Sequence, residues 1–289
     1  VGDAVVDMAT ERYTEVAGVY GSDGGVTFLD PRTGTLRKRL TLLVPAGVEV
    51  VSSAQTEIKY GVRAYGLSDG SALVTRHEYT LSYPDDVRHI EPDITYPLGD
   101  QPLPLDETGE PLAVIGIQAA GEGYALAGAA EDGRLALAIY RAAVSFMTGE
   151  VEVKRSAYTL PPVPGRPTHI LINKTTRNLF VADDAGYIHH YDIVRPDEAR
   201  LVESVRAVAE GASISAMRYL SGTVSIIVGG SDGSLAQWFP VRDEENRYHL
   251  TRIRQFESQP GAITFIAPEY ARKGFVAGSE TGHVGVHFT

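Results

Sequence analysis

The chain has 289 residues, 43% of them hydrophobic, a formal net charge of −11 and no cysteine. Such a length supports a sizeable core in one all-β domain. The negative charge repels a phosphate backbone and so argues against a nucleic-acid partner, and the missing thiols exclude disulfides, thiolate catalysis and zinc ribbons.

The start, Val1-Gly2-Asp3, has neither the basic residues nor the apolar run of a signal peptide. It also lacks an initiator methionine, which is the expected mark of a processed form or of a piece of a longer chain. Ala4 to Met8 reads as a strand. From there a short pattern recurs along the chain: an apolar pair, one or two small residues, an acidic residue beside a glycine, then alternating apolar positions. It reads Val19-Tyr20-Gly21-Ser22-Asp23-Gly24, Ala64 to Gly70, Leu126 to Gly133, Phe180 to Gly186, Ile227 to Gly233 and Phe275 to Gly282. The closing glycines recur at intervals of roughly 45–65 residues.

Asp-Gly between apolar runs is a hairpin signal, because tight turns need positive φ and glycine adopts it without steric cost. Residues beyond each turn alternate as strands do. After Gly233, Leu235, Gln237 and Phe239 are assigned to one face and Ala236 and Trp238 to the other; after Gly282, Val284 and Val286 alternate with Gly285 and His287. Further apolar runs flank each hairpin (Glu152 to Leu160, Ile214 to Tyr219, Tyr248 to Ile253, Ile263 to Pro268). About four strands per unit of roughly 45–50 residues is the period of β-propeller blades. The expectation is a single propeller domain over residues 1–289, built of four-stranded antiparallel, WD40-like blades.

Six blades are visible, whereas length divided by about 42 residues per blade gives nearly seven. The Pro- and Asp-rich stretch from Tyr83 to Leu112 is where an irregular element would sit. The chain stops at Thr289, where a last blade needs its outermost strand; either Ala4 to Met8 supplies it or it lies beyond these residues. Helix signals are thin. Ala142 to Met147 is opposed by Gly149, and Pro196 to Ala209 reads equally well as an outer strand. The longest apolar stretch, Leu112 to Ala120, is broken by Gln118 and reaches about half the roughly 18 residues of a membrane span.

Candidate chemistry yields to structural readings. Gly229-Gly230-Ser231-Asp232-Gly233 has the spacing of a hydrolase elbow, but that motif needs a strand-to-helix turn and here belongs to a repeated hairpin. His189 and His190 lie near Asp183 and Asp184, yet adjacent strand residues point to opposite faces and do not easily ligate one ion. His77, His89, His169, His249, His283 and His287 occupy no repeated position. Asp85-Asp86 and Asp243-Glu244-Glu245 lack the alternating oxygen ligands of calcium loops. Arg37-Lys38-Arg39 suits a solvated edge guard, and Asn173-Lys174-Thr175 is a glycosylation acceptor of a kind common by chance. No catalytic, cofactor-binding or metal-binding residues are assigned. An enzyme of the lactonase or quinoprotein kind would need ligands converging at one funnel mouth.

Trp238-Phe239-Pro240 stands where a WD repeat places its Trp-Asp pair, without the Asp. Trp238 to Glu244, Leu250 to Arg254, Ala267-Pro268-Glu269 and Arg272-Lys273-Gly274-Phe275, together with Tyr83 to Arg88 after Gly66 to Gly70, resemble the WD40-like insertion of PstC-type phosphate ABC transporter permeases. The resemblance runs nearly end to end. It implies a periplasmic domain of an inner-membrane protein, with the transmembrane part of its own permease as one partner. A periplasmic phosphate-binding protein or other envelope protein is the implied docking partner, and no phosphate-binding residue is implied here. The alternative is a free-standing soluble scaffold.

Overall fold

In the computed structural model the described residues are 4–11, 15–56, 61–145, 147, 151–269 and 274–289. They form antiparallel meander sheets. The first holds β1 (Val5–Glu11), β2 (Val16–Gly21), β3 (Gly25–Leu29) and β4 (Leu36–Thr41) in sequence order. The second holds β5 (Val50–Gln55), β6 (Val62–Leu67), β7 (Ser71–Ser82) and β8 (His89–Thr95), with β9 (Leu103–Pro104) also pairing β7. The third is β10 (Val114–Ala120), β11 (Gly123–Ala129), β12 (Leu135–Val144) and β13 (Val151–Leu160). The fourth is β14 (Pro167–Ile172), β15 (Asn178–Asp183), β16 (Tyr187–Asp192) and β17 (Arg200–Arg206), and the fifth β18 (Ile214–Tyr219), β19 (Ile226–Gly230), β20 (Leu235–Arg242) and β21 (Tyr248–Gln255). The sixth has three strands, β22 (Ile263–Glu269), β23 (Gly274–Ser279) and β24 (Val284–Phe288).

Each repeated glycine turns the second strand of its sheet into the third. Gly24, Gly70, Gly133, Gly186, Gly233 and Gly282 have φ of 81°, 79°, 88°, 84°, 78° and 81°, the left-handed region that an L side chain enters at a cost. The six bends are one joint repeated.

Two compact units are distinguished: Val1–Ala130 with Ala136–Ala157, and Glu131–Leu135 with Tyr158–Thr289. In the first, Tyr20, Phe28, Tyr65, Leu67 and Leu73 form one core and Leu112, Ile115, Leu126, Ala138 and Tyr140 another. In the second, Phe180, Met217, Tyr219 and Trp238 pack together, and Ile227, Leu235, Ile263 and Phe275 make a further cluster.

Several sequence expectations change. The length that suggested a seventh blade is absorbed by the second sheet, in an overlong β7, its hairpin with β8 and the short β9. Val5–Glu11 pairs β2 in the first sheet and does not complete the sixth. Pro196–Glu198 is a single 3-10 turn followed by strand β17, and Ala142 continues β12. The alternation read after Gly233 lies on β20, where Leu235, Ala236, Gln237 and Trp238 are all buried, so both faces of the strand are covered there. Interior strands covered on both faces lose the alternation that one-sided strands display; β6 and β19 are buried at every position.

Candidate functional site

The second sheet carries the feature that most departs from the repeat. β6 pairs β7 only from Ala72 to Arg76. Beyond Arg76, β7 continues to Ser82 against β8 alone, with Tyr79 opposite Pro92 and Leu81 opposite Ile90. Its tip is the 3-10 turn Pro84–Asp86, where Asp85 and Asp86 take φ of 52° and 61°. Strand alternation puts Tyr79 and Leu81 on one face. Along this arm Tyr79, Leu81, Tyr83 and Val87 are exposed, Tyr83 by 61%. Lys38 on β4 reaches Glu91 at 3.0 Å and Asp93 at 3.8 Å, and Arg88 reaches Glu15 at 3.0 Å. The basic cluster on β4 thus acts partly as a brace for the arm's base.

Below the arm lies a buried polar network. The Arg63 side chain is 1% exposed and pairs with Asp7, which is 28% exposed. Its guanidinium donates to Gln55 Oε1 at 2.8 Å and Ser53 Oγ at 3.1 Å, and it lies 4.1 Å from the centre of the Tyr20 ring. Ser53 Oγ donates to Asp7 at 2.6 Å, and Tyr20 Oη meets His77 Nε2 at 3.2 Å. The network joins β1 and β2 to β5, β6 and β7, so it locks two adjacent sheets in register.

The histidine pair separates as strand geometry requires. His189 Nε2 meets Asp183 Oδ2 at 3.0 Å and its Nδ1 meets Ser204 Oγ at 2.8 Å, while Asp183 Oδ1 accepts the Tyr187 N–H. Three strands are tied by this chain. Ser204 lies mid-strand on β17, directly opposite His189. On the other face His190 meets Asn178 Oδ1 at 2.8 Å and stacks on Phe180 at 4.7 Å. Burial lowers its pKa, against the opposing pull of Glu203. Glu203 also meets His249 Nδ1 at 3.3 Å, and His249 Nε2 meets Asp243 at 2.9 Å. Partial desolvation raises the Asp243 pKa, but the Arg247 N–H, His249 and the Arg247 guanidinium outweigh it and hold the carboxyl at about 2. The Asp243 run is therefore an ion-paired turn bracing β21 against β17.

Among the described residues, no group of three or more His, Asp or Glu is placed to hold a metal ion. Ser231 follows β19, in the turn that leads to strand β20; its Oγ accepts the Ser213 N–H at 3.0 Å. Asn173 Oδ1 accepts the Arg177 and Asn178 N–H groups within a turn. In the second unit a cleft of about 430 Å³ is lined by Arg206, Val208, Asp232, Ser234 and Arg252. Arg206 is held by Ala185 O and the Tyr187 ring, and Asp232 by Ser234.

His169 on β14 makes stability depend on pH. Burial pushes its pKa down to about 4, and the Arg218 charge pushes the same way. An unfolded histidine titrates near 6.5, so the unfolded chain binds the proton first. This contribution is present above about pH 6.5 and is lost as pH falls towards 4. His169→Gln is expected to remove about 2 kcal/mol of the stability difference between pH 7 and pH 4, allowing for the ring's partial solvent contact. Urea titrations at the two pH values check it; an unchanged difference contradicts it.

No protein-family model matches the chain, and no curated protein sequence does. Among solved structures it is similar to Raptor of Chaetomium thermophilum, with a TM-score of 0.62, 14% identity and coverage of 100% of this chain and 24% of that one. It is also similar to the Dos1 propeller, with a TM-score of 0.59, 13% identity and coverage of 99% and 70%. The chain spans about a quarter of the Raptor chain. At these identities the likeness concerns fold alone. With its six meander sheets and repeated glycine joints, the chain has the fold of a WD40-like, six-bladed β-propeller of antiparallel sheets.

Proposed function

We propose that the chain is a non-catalytic protein-docking module, serving as the extracytoplasmic accessory domain of a PstC-type phosphate permease. The observation that carries the docking role is the β7–β8 arm. Exposed apolar side chains set singly over a surface need no explanation, but aromatic and aliphatic groups gathered on a projecting ribbon suit the centre of a protein interface. The permease assignment is supported by the sequence resemblance, in which Tyr83 to Arg88 forms the tip of that arm. No helix of the described residues is long and apolar enough to cross a membrane, so in this reading other segments of the permease provide the membrane part. Phosphate itself is not the ligand, because a net charge of −11 repels an anion on average.

The test uses the full permease in vesicles, with the phosphate-binding protein titrated. Replacing Leu81, Tyr83 and Val87 by serine alters exposed positions and is expected to leave stability within about 0.5 kcal/mol. The binding-protein concentration for half-maximal uptake should rise about tenfold, a typical loss for an interface anchor. An uptake curve that does not move at any concentration overturns the docking role in transport.

A further inference from the structure

The fifth sheet has an overlong hairpin of its own. β19 pairs β20 only as far as Trp238. From Phe239 to Arg242, β20 pairs β21 alone, with Pro240 opposite Leu250 and Val241 opposite His249. This arm closes in a turn where Asn246 takes φ of 64°. Along it Val241 and Tyr248 are exposed, by 39% and 52%. Leu250 is the exception: it is 4% exposed on a strand otherwise open to solvent, and it packs in the cluster of Phe180, Tyr219 and Trp238.

The arm is fastened to the fourth sheet at one carboxylate. Glu203 on β17 accepts the Leu250 N–H through Oε1 at 2.5 Å and faces His249 Nδ1 through Oε2 at 3.3 Å. His249 Nε2 lies 2.9 Å from Asp243 Oδ2, on the arm's own turn. Each ring nitrogen therefore meets a carboxylate oxygen, and an ionised carboxylate only accepts. A neutral imidazole has one N–H and one lone pair, whereas the imidazolium donates from both nitrogens. With the ring neutral, one carboxylate faces a lone pair and one of the two contacts is lost. The charged and titratable groups around the ring are Glu203 of β17, Asp243 and Arg247 of the turn, and His190 of β16, whose Nδ1 is 3.5 Å from Glu203. Hydrogen bonds to Asp243 and Glu203 raise the His249 pKa, whereas burial lowers that of His190. The proton of this cluster thus sits on His249.

We propose that the β20–β21 arm is a proton-held clasp, closed over the Leu250 seat while His249 carries its charge and loosened when the ring is neutral. The inference goes beyond the docking reading and does not depend on it. Its sign follows from the raised pKa. An unfolded histidine titrates near 6.5, so the clasp is fully held below about pH 6.5 and is lost as pH rises through the higher folded value. His169 acts in the opposite sense, so acid weakens the second unit at β14 and base weakens it at this arm.

Trp238 is the chain's single tryptophan and shares a cluster with Leu250, so its quenching by acrylamide reads the seat. In the 289-residue protein, two quantities should rise about threefold from about pH 6 to about pH 9, the scale of an exposed ion pair. They are the quenching constant and the exchange rate of the Leu250 amide, the latter corrected for intrinsic base catalysis. The His249 ring, followed by NMR, should titrate with the same midpoint, above about 6.5. His249→Gln cannot take up the charge and should show the loosened values at every pH. Glu203→Gln should do the reverse: its carbonyl accepts from Leu250, its amide donates to a neutral His249 Nδ1, and Asp243 accepts from Nε2. That variant should keep the low-pH quenching value up to about pH 9. Wild-type Trp238 quenching that stays flat over this range overturns the proposal. So does a transition that survives in either variant, or one that coincides with loss of the far-ultraviolet strand signal, which would be unfolding of the whole unit.

Discussion

Asp7→Ala is expected to lower stability by about 3–5 kcal/mol, the usual cost of removing one member of a buried ion pair. The Arg63 guanidinium is 1% exposed on β6 and also donates to Gln55 and Ser53. Asp7 itself is partly solvated, so the lower end of the range is the better expectation. The measurement is the urea midpoint at constant slope. The double variant Asp7→Ala, Arg63→Met then separates two explanations. Replacing a whole buried pair by apolar groups is often close to neutral, so the double variant should recover at least half of the loss. A double variant that is additive with Asp7→Ala would show that packing of β1 against β5, and not charge compensation, is what the network supplies.

Gly233→Ala and Gly282→Ala should differ although both glycines have nearly the same backbone conformation. Both variants incur the left-handed cost of about 1–2 kcal/mol. At Gly233 a Cβ also falls 2.0 Å from Gln259 O, a backbone atom that cannot swing away like a side-chain end. The return segment must move and its N–H bond to Gly233 O is lost, adding about 2 kcal/mol. Gly233→Ala should therefore cost about 3–4 kcal/mol and Gly282→Ala about 1 kcal/mol. Thermal and urea unfolding of the two variants give the comparison. Equal losses would mean that the joint's conformation alone, without the returning chain, sets the cost.

The six joints were legible in the sequence because their requirement is local: positive φ in a short turn selects glycine, and the acidic residue before it caps the turn. Asp23, Asp69, Asp132 and Asp232 each accept the N–H two residues on. Blade number was less legible. An insertion into one sheet lengthens the chain as much as a new blade does, and the alternating segment through Tyr79 and Leu81 has the period of any strand. The Asp7–Arg63 pair was invisible for a different reason, since its members lie 56 residues apart and neither sits in a recognisable motif. The strand and the two faces of β20 were legible from alternation, but burial of both was not, because a strand between two covered faces has no polar side to reveal. Among the histidines, strand alternation separated His189 from His190 correctly, whereas the Glu203 carboxylate that approaches both His190 and His249 required the register of two sheets.

Every sheet among the described residues is assembled from one stretch of polypeptide, with successive strands paired to their predecessors except β9, which returns to β7. Pairing partners are therefore close in sequence, and loop-closure entropy is small for each hairpin. During synthesis each sheet has all its own strands as soon as the chain has passed the segment that returns to the glycine joint, without waiting for distant residues. Such a molecule accumulates order in increments of one sheet, and the sheet whose β24 has no outer neighbour among the described residues is the one whose amides should open first when the 289 residues are heated or diluted into denaturant.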